Sequence, residues 1–216
     1  IAVWFSNKVF CTSKYAFVTK YKKTILMPVG IDTIIFNAEI INLKPKTQNN
    51  KILFLSRMSP IKRPDLLIEA LDILNKKNID FVCNFYGEVL PKDKNYYESI
   101  KVKVKDLRLE NKVNFYESVP NFETPKIYGE HNIFVNLTPT GSFDKTILEA
   151  AACGCLLIVI NKSLSGEIDD RMITDENPNN IAKVINFWLN TSNEERKKSS
   201  KKLQEYVLEN HGLDAL

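Results

Sequence analysis

Three short stretches of the chain carry residue types suited to gripping an anion and a sugar alcohol. Ser56-Arg-Met-Ser-Pro-Ile-Lys62 places Arg57 and Lys62 in a single loop between a strand-like run and a helical one. Arginine holds phosphate oxygens in a rigid fork, and lysine adds a movable point charge. Thr138-Pro-Thr-Gly-Ser-Phe-Asp144 is a small, flexible loop that opens a helix. Gly141 and Ser142 let the backbone come close to a ligand, and the free N–H groups of the new helix point at that spot, which suits a phosphate. The third feature is Glu149, a lone carboxylate in the run Ile147-Leu-Glu-Ala-Ala-Ala152. A carboxylate there can accept both hydroxyls of a ribose. Each feature also has a plainer reading. Arg57 and Lys62 could be solvated loop cations, and Ser142 or Asp144 could simply cap the helix. Glu149 could pair with Lys145 one turn earlier, a contact worth only about 0.2–0.5 kcal/mol.

Size and composition narrow the classes. A chain of 216 residues can bury a substantial core, as one domain or two small ones. Its 44% apolar and 26% charged content is that of an ordinary soluble globular protein. The net charge of +4 is mild and the lysines are spread along the chain, which argues against a nucleic-acid partner. The densest basic run, Arg196 to Lys202, reads as a solvated helix face, with contact to a phospholipid surface as the other option. There is no run long enough to span a bilayer and no signal peptide. The first residue is Ile1 rather than Met, so the chain is read as a piece of a longer protein. Cys11, Cys83, Cys153 and Cys155 lack the CxxC spacing of a zinc site and read as buried free thiols in a reducing compartment.

The elements that must position these residues alternate from residue 51 onward. Strands are expected at 51–55, 80–86, 112–116, 132–137 and 155–160. Helices are expected at 64–74, 97–107, 181–189 and 193–209, with a helical turn at 125–128 and a short helix after residue 144. Pro64 sits where a first helical turn tolerates it. Near-continuous apolar strands alternating with helices imply an α/β domain, a doubly wound Rossmann-like parallel sheet covered on both faces. Ligands of such sheets bind beyond the carboxyl ends of the strands. The loops 56–63, 87–92, 117–124 and 138–144 are therefore the expected site. Residues 38–50 read as a polar linker. Residues 1–37 form a separate piece, with strand material at 3–11 and 24–29 around a helical 13–21, and look like the tail of another domain.

Together the three stretches are more telling than each alone. A strand, Arg57-x4-Lys62 and a helix, followed later by a loop and helix with Leu-Glu-Ala-x-Ala-x-Gly spacing, resemble the donor-binding domain of family 4 glycosyltransferases of the GT-B fold. The matching pieces include Phe54 to Lys62, Phe85-Tyr-Gly87, Val113 to Val119, Ile127-Tyr128, Asn132 to Val135 and Gly141 to Gly154. Val29 to Phe36 resembles the segment that leaves the acceptor domain. The resemblance implies that Arg57 and Lys62 grip a donor pyrophosphate and stabilise the departing nucleoside diphosphate, with no divalent metal or other cofactor. It implies that Ser142, Phe143 and Asp144 offer backbone N–H groups to the donor, beside Gly141, and that Glu149 holds the ribose. It places Ser56 and Gly87 at the donor and gives the base to the backbone around Val119. It further implies retention of anomeric configuration, with a nucleotide sugar, commonly UDP-linked, as donor and a glycan or lipid-linked molecule as acceptor.

Two positions depart from that pattern. The family keeps two glutamates with seven residues between them. Here the second is Glu149 and the first position is Gly141, with Asp144 as a nearby substitute carboxylate. Ser56 stands where a glycine is common. The resemblance also implies that an N-terminal acceptor domain of the same enzyme is needed, so that residues 1–216 alone bind nucleotide weakly and transfer no sugar. A cytoplasmic location is expected, with peripheral attachment to the inner membrane face as an extension of it. The competing readings are a degenerate glycosyltransferase-like binding or scaffold domain, motivated by Gly141, and a GT-B-like sugar-nucleotide epimerase. The epimerase would want further acidic and histidine groups, and only His131 and His211 are present.

Overall fold

The computed structural model describes residues 2–38, 50–141 and 143–215. Among these, five strands form one parallel sheet: β3 (Lys51–Leu55), β4 (Val82–Tyr86), β5 (Val113–Tyr116), β6 (Ile133–Asn136) and β7 (Leu156–Val159). A further pair, β1 (Val9–Cys11) and β2 (Thr24–Leu26), lies apart from it. The spatial order of the main sheet is β5-β4-β3-β6-β7. From β3 the chain builds outward to β4 and β5, then returns to the other side of β3 for β6 and β7. The direction of winding thus reverses between β3 and β6, where Ile52 lies opposite Ile133. Neighbouring connections that diverge at such a point leave a crevice beyond the strand ends.

The strand composition follows from double-sided burial. Every residue of β6 and β7 is buried, and β3 and β4 are exposed only at their ends. Such strands are selected for continuous apolarity rather than alternation. The covering helices are α1 (Pro64–Lys76), α2 (Lys94–Asp106), α3 (Thr124–Glu130), α4 (Lys145–Ala152), α5 (Pro178–Asn190) and α6 (Asn193–His211). α1 shows why these segments coil. Pro64 occupies its first turn, Asp65 complements the helix dipole there, and Leu66, Leu67, Ala70, Leu71 and Leu74 form one buried face. α4 ends at Gly154, whose φ of 84° lets the chain turn directly into β7.

The expected elements from residue 51 onward are all present, with ends displaced by up to three residues. The amino-terminal region differs more. Residues 2–5 form a single 3-10 turn, and the expected helix at 13–21 is only a 3-10 turn at Phe17–Lys20. β1 and β2 pair in parallel, yet Trp4, Phe5, Phe10, Phe17 and Leu26 are exposed. This region is not wholly detached. The Ser13 and Ser163 hydroxyls bond at 2.8 Å, and Ile31 and Phe36 are buried in the main core. Ile31 also exchanges backbone hydrogen bonds with the end of α6, donating to His211 O at 2.7 Å and accepting from Leu213 N at 3.0 Å. Most of the expected linker, 39–49, lies outside the described residues. Cys83, Cys153 and Cys155 are buried and Cys11 partly so, and none of the four forms a disulfide among the described residues.

Candidate functional site

The loop after β3 is held in place by the loop after β4. Ser56 N–H donates to Tyr86 O at 3.0 Å, and Met58 N–H donates to Glu88 O at 2.9 Å. Gly87 makes this approach possible, because a Cβ there would lie 1.8 Å from Ser56 O. The backbone is thereby fixed on both sides of Arg57. The Arg57 side chain is exposed and forms no ion pair or hydrogen bond among the described residues. Buried Met58 anchors the loop beneath it. The loop then closes in a 3-10 turn, Pro60–Lys62, whose end is marked by Arg63 at φ 56°.

Lys62 crosses the crevice between β3 and β6. Its Nζ donates to Asp144 Oδ2 at 2.6 Å and to Thr138 Oγ1 at 3.1 Å. Both ion-pair side chains are only about one-seventh exposed, at 15% and 14%. The loop after β6 is ordered around the same carboxylate. Asn136 Nδ2 donates to Asp144 Oδ2 at 3.0 Å, while Asn136 Oδ1 accepts from Thr138 N at 3.0 Å. Asp144 is also the N-cap of α4, with Oδ1 accepting from Thr146 N at 3.4 Å and from Thr146 Oγ1 at 2.8 Å. Burial alone would raise the Asp144 pKa. The Lys62 hydrogen bond and charge, with Asn136 and Thr146, outweigh it and hold the carboxyl below its ordinary range. The capping role open to Ser142 or Asp144 thus falls to Asp144, while Ser142 lies outside the described residues. Gly141 has φ 119°, with open space where a side chain would start.

Glu149 faces inward from α4 and is 4% exposed. Tyr128 of α3 donates its hydroxyl to Oε2 at 3.3 Å, and the polar Asn121 side chain favours the charged form. Burial raises the Glu149 pKa against the opposing influence of Lys145, Tyr128 and Asn121. Lys145 contributes its charge, but no ion pair with Glu149 forms. The same carboxylate and, above all, burial push the Tyr128 hydroxyl well up. Val119 is half-buried in the loop after β5, which leads directly to Asn121. Phe143 stacks on the His211 ring, with centroids 6.2 Å apart and planes at 30°.

The positions expected from sequence therefore converge. Ser56, Arg57 and Lys62 follow β3, Gly87 follows β4, Val119 follows β5, and Gly141, Phe143 and Asp144 follow β6. Glu149 lies one turn into the helix that this last loop opens. Thr138 and Asn121 lie in two of the expected loops and Tyr128 in the matching pair Ile127-Tyr128, but the sequence assigns none of them a role, and Asn136 carries no signal beyond polarity at a strand end, which is common before turns. The two histidines have hydrogen-bond partners of their own. His131 is buried, with Nε2 bonded to the Asn84 side-chain nitrogen at 2.9 Å and Nδ1 to Ile127 O at 2.6 Å. His211 Nδ1 accepts from Val29 N at 3.3 Å, and its Nε2 meets the Tyr206 hydroxyl at 3.0 Å. A cavity of about 370 Å³ lies away from the crevice, between the 167–171 loop and α6. Its Arg171 is paired with Asp169 and Glu195. Among the described residues, no three His, Cys, Asp or Glu side chains cluster as metal ligands do, and no helix is long and apolar enough to cross a membrane.

Comparison with known proteins agrees with the fold. A solved structure of Anabaena HepE in complex with UDP and glucose superposes with a TM-score of 0.82 at 17% identity, covering 99% of this chain and 61% of that one. The C-terminal domain of a glycosyl transferase group 1 protein, LpcC of Francisella tularensis, gives 0.73 at 22% identity, covering 83% of this chain and 97% of that domain. These likenesses establish the fold, an α/β unit of the GT-B glycosyltransferase kind. A curated relative, a phosphatidylinositol N-acetylglucosaminyltransferase subunit of Arabidopsis thaliana, is 27% identical over 172 residues, covering 76% of this chain. This chain spans 36% of that relative's length. The model of the glycosyl transferases group 1 family matches residues 36–206, which contain every site position described above. The chain belongs to the group 1 glycosyl transferases.

Proposed function

We propose that the chain is the nucleotide-sugar-binding part of a retaining, family 4 glycosyltransferase of the GT-B fold. Its donor is a nucleoside-diphosphate sugar, taken first as UDP-linked, and its acceptor a glycan or lipid-linked molecule. The observation that carries this reading is the meeting of Lys62, Thr138 and Asp144 across the β3/β6 crevice, with Arg57 beside it. The complex of HepE with UDP and glucose and the name of the Arabidopsis relative support the substrate class.

In this reading the bond between the anomeric carbon and the phosphate oxygen breaks, and its electron pair leaves with the nucleoside diphosphate. The acceptor oxygen bonds to the same carbon on the face the diphosphate leaves, and its proton passes to the departing phosphate oxygen. Arg57 and Lys62 supply positive charge where the leaving diphosphate becomes more negative, without a divalent ion. The backbone N–H groups of residues 142–144 meet the phosphate and sugar beside Gly141. Glu149 keeps acceptor capacity beyond its bond to Tyr128, and that capacity serves the ribose hydroxyls. The backbone near Val119 meets the base, while Ser56 and Gly87 shape the wall of the crevice. The exposed apolar side chains of residues 4–34 belong against an acceptor-binding domain of the same enzyme, and the assembled enzyme works in the cytoplasm, at the inner membrane face when the acceptor is a lipid.

Gly141 favours a second reading, in which the chain is a degenerate glycosyltransferase-like binding or scaffold domain that no longer holds the nucleotide. Its φ of 119° strains any other residue, so the carboxylate usual at this position is disfavoured by the backbone itself. Calorimetry with UDP, GDP and their sugars separates the two. The transferase reading expects nucleotide binding that falls at least about tenfold in Arg57→Ala and Glu149→Ala, as loss of a charge-assisted contact implies. Absence of all nucleotide binding supports the scaffold. Sugar transfer by the 216-residue chain alone would contradict the need for a second domain.

A further inference from the structure

The group facing Lys62 is an anion of the chain itself. Asp144 Oδ2 accepts from Lys62 Nζ, Asn136 Nδ2 and, at 3.4 Å, Thr138 Oγ1, while Oδ1 takes both Thr146 donors. Five donors on one carboxylate leave it no capacity for a sugar hydroxyl. They also leave it little freedom to swing away, since it caps α4 and orders the loop after β6 at once. Asp144 therefore does not replace the carboxylate missing at Gly141. The loop after β3 carries two cations, Arg57 and Lys62, and a fixed anion lies 2.6 Å from the second.

We propose that Asp144 is a charge-discriminating residue that disfavours the nucleoside diphosphate product relative to the nucleotide-sugar donor. This rests on the nucleotide-sugar reading of the crevice. The diphosphate of a nucleotide sugar is a diester, with one ionised oxygen on each phosphorus. Transfer leaves the diphosphate with a terminal phosphate monoester, whose second ionisation lies near pH 6 and adds most of a further negative charge at pH 7. A fixed carboxylate beside Lys62 opposes that added charge at short range, where the surroundings screen it only partly. Donor and product share the nucleoside and both phosphorus atoms, so most other contacts cancel in the comparison. The consequence is easier product release, at the cost of weaker stabilisation of the leaving group by Lys62.

The test is calorimetry of UDP and UDP-glucose with the 216-residue chain and with Asp144→Asn. Asparagine caps a helix as well as aspartate does and keeps one oxygen for the Thr146 donors, while its uncharged amide nitrogen takes the place of the oxygen that faces Lys62. The variant is expected to bind UDP on the order of tenfold more tightly, with UDP-glucose changed much less. Asp144→Ser, also a good cap, gives the same direction if the asparagine variant does not fold. An unchanged ratio of the two affinities, or a weaker hold on UDP, overturns the proposal while leaving the nucleotide-sugar reading intact. Failure of the unsubstituted chain to bind either probe removes both.

Discussion

At the scale of single residues, the crevice is built from groups whose hydrogen bonds are nearly all accounted for, and the exception is informative. Ser59 lies between Arg57 and Lys62, is buried, and its hydroxyl is the one buried side-chain polar atom without a partner among the described residues. A buried unpaired hydroxyl costs about 1–3 kcal/mol relative to a satisfied one. Ser59→Ala is therefore expected to leave stability unchanged or raise it by about 1 kcal/mol, as read from urea unfolding. A clear loss of stability would mean that the hydroxyl has a partner. The residue types at 57, 62, 144 and 149 were legible in the sequence because charge and loop position are local properties. Which of these charges meet was not. Lys62 and Asp144 are 82 positions apart, and no local pattern couples them.

At the scale of elements, the site depends on how two loops lie against each other. Backbone bonds from Ser56 to Tyr86 and from Met58 to Glu88 join the turn after β3 to that after β4. Gly87 was expected at the donor, and the structure shows a further reason for a glycine there. It leaves room for a carbonyl rather than providing an unusual backbone angle. Gly87→Ala is expected to cost about 1–3 kcal/mol through overpacking and to weaken UDP binding, because relief of the clash displaces Ser56 and Arg57 together. Thermal melting and calorimetry of the same variant check both effects. An alanine variant of unchanged stability and affinity would show that the two loops yield without consequence. The strands and helices after residue 51 were legible because doubly buried strands are continuously apolar, whereas helices carry a single apolar face. In the amino-terminal region that contrast is weak. The apolar residues at 13–21 lead only to a 3-10 turn, and those at 3–11 to a three-residue strand.

At the scale of the whole molecule, the carboxyl-terminal end of the chain ties the loop after β6 to the segment before the main sheet. His211 ends α6, stacks against Phe143, and accepts the Val29 N–H on Nδ1, a bond that requires the unprotonated nitrogen. Burial holds its pKa below the ordinary histidine value, with the Glu167 charge pulling the other way. A base with a lowered folded-state pKa stabilises the fold above its ordinary value, and that stability is lost as the pH falls through the lowered one. His211→Phe keeps a ring beside Phe143 but removes the acceptor and the titration. It is expected to be less stable than the unsubstituted chain at pH 8, by about 1 kcal/mol for the lost hydrogen bond. The difference should shrink as the pH drops below about 6.5. Urea unfolding across that range checks it, and a difference that stays constant would remove His211 as the titrating link.

The sequence by itself determined the alternation of strands and helices, the parallel class of the sheet, and the loops in which a ligand site would lie. These follow from apolar periodicity, turn chemistry and the rule that parallel sheets bind beyond their strand ends. Only the tertiary structure decided that β6 returns to lie beside β3, which sets Lys62 against Asp144 and makes the anion that faces this lysine an internal one. It also decided that Glu149 is buried beneath Tyr128 rather than displayed on a helix face. Both outcomes depend on contacts between segments far apart in the chain, formed where packing brings their ends together. Local sequence carries the chemistry of each group but not the identity of its partner.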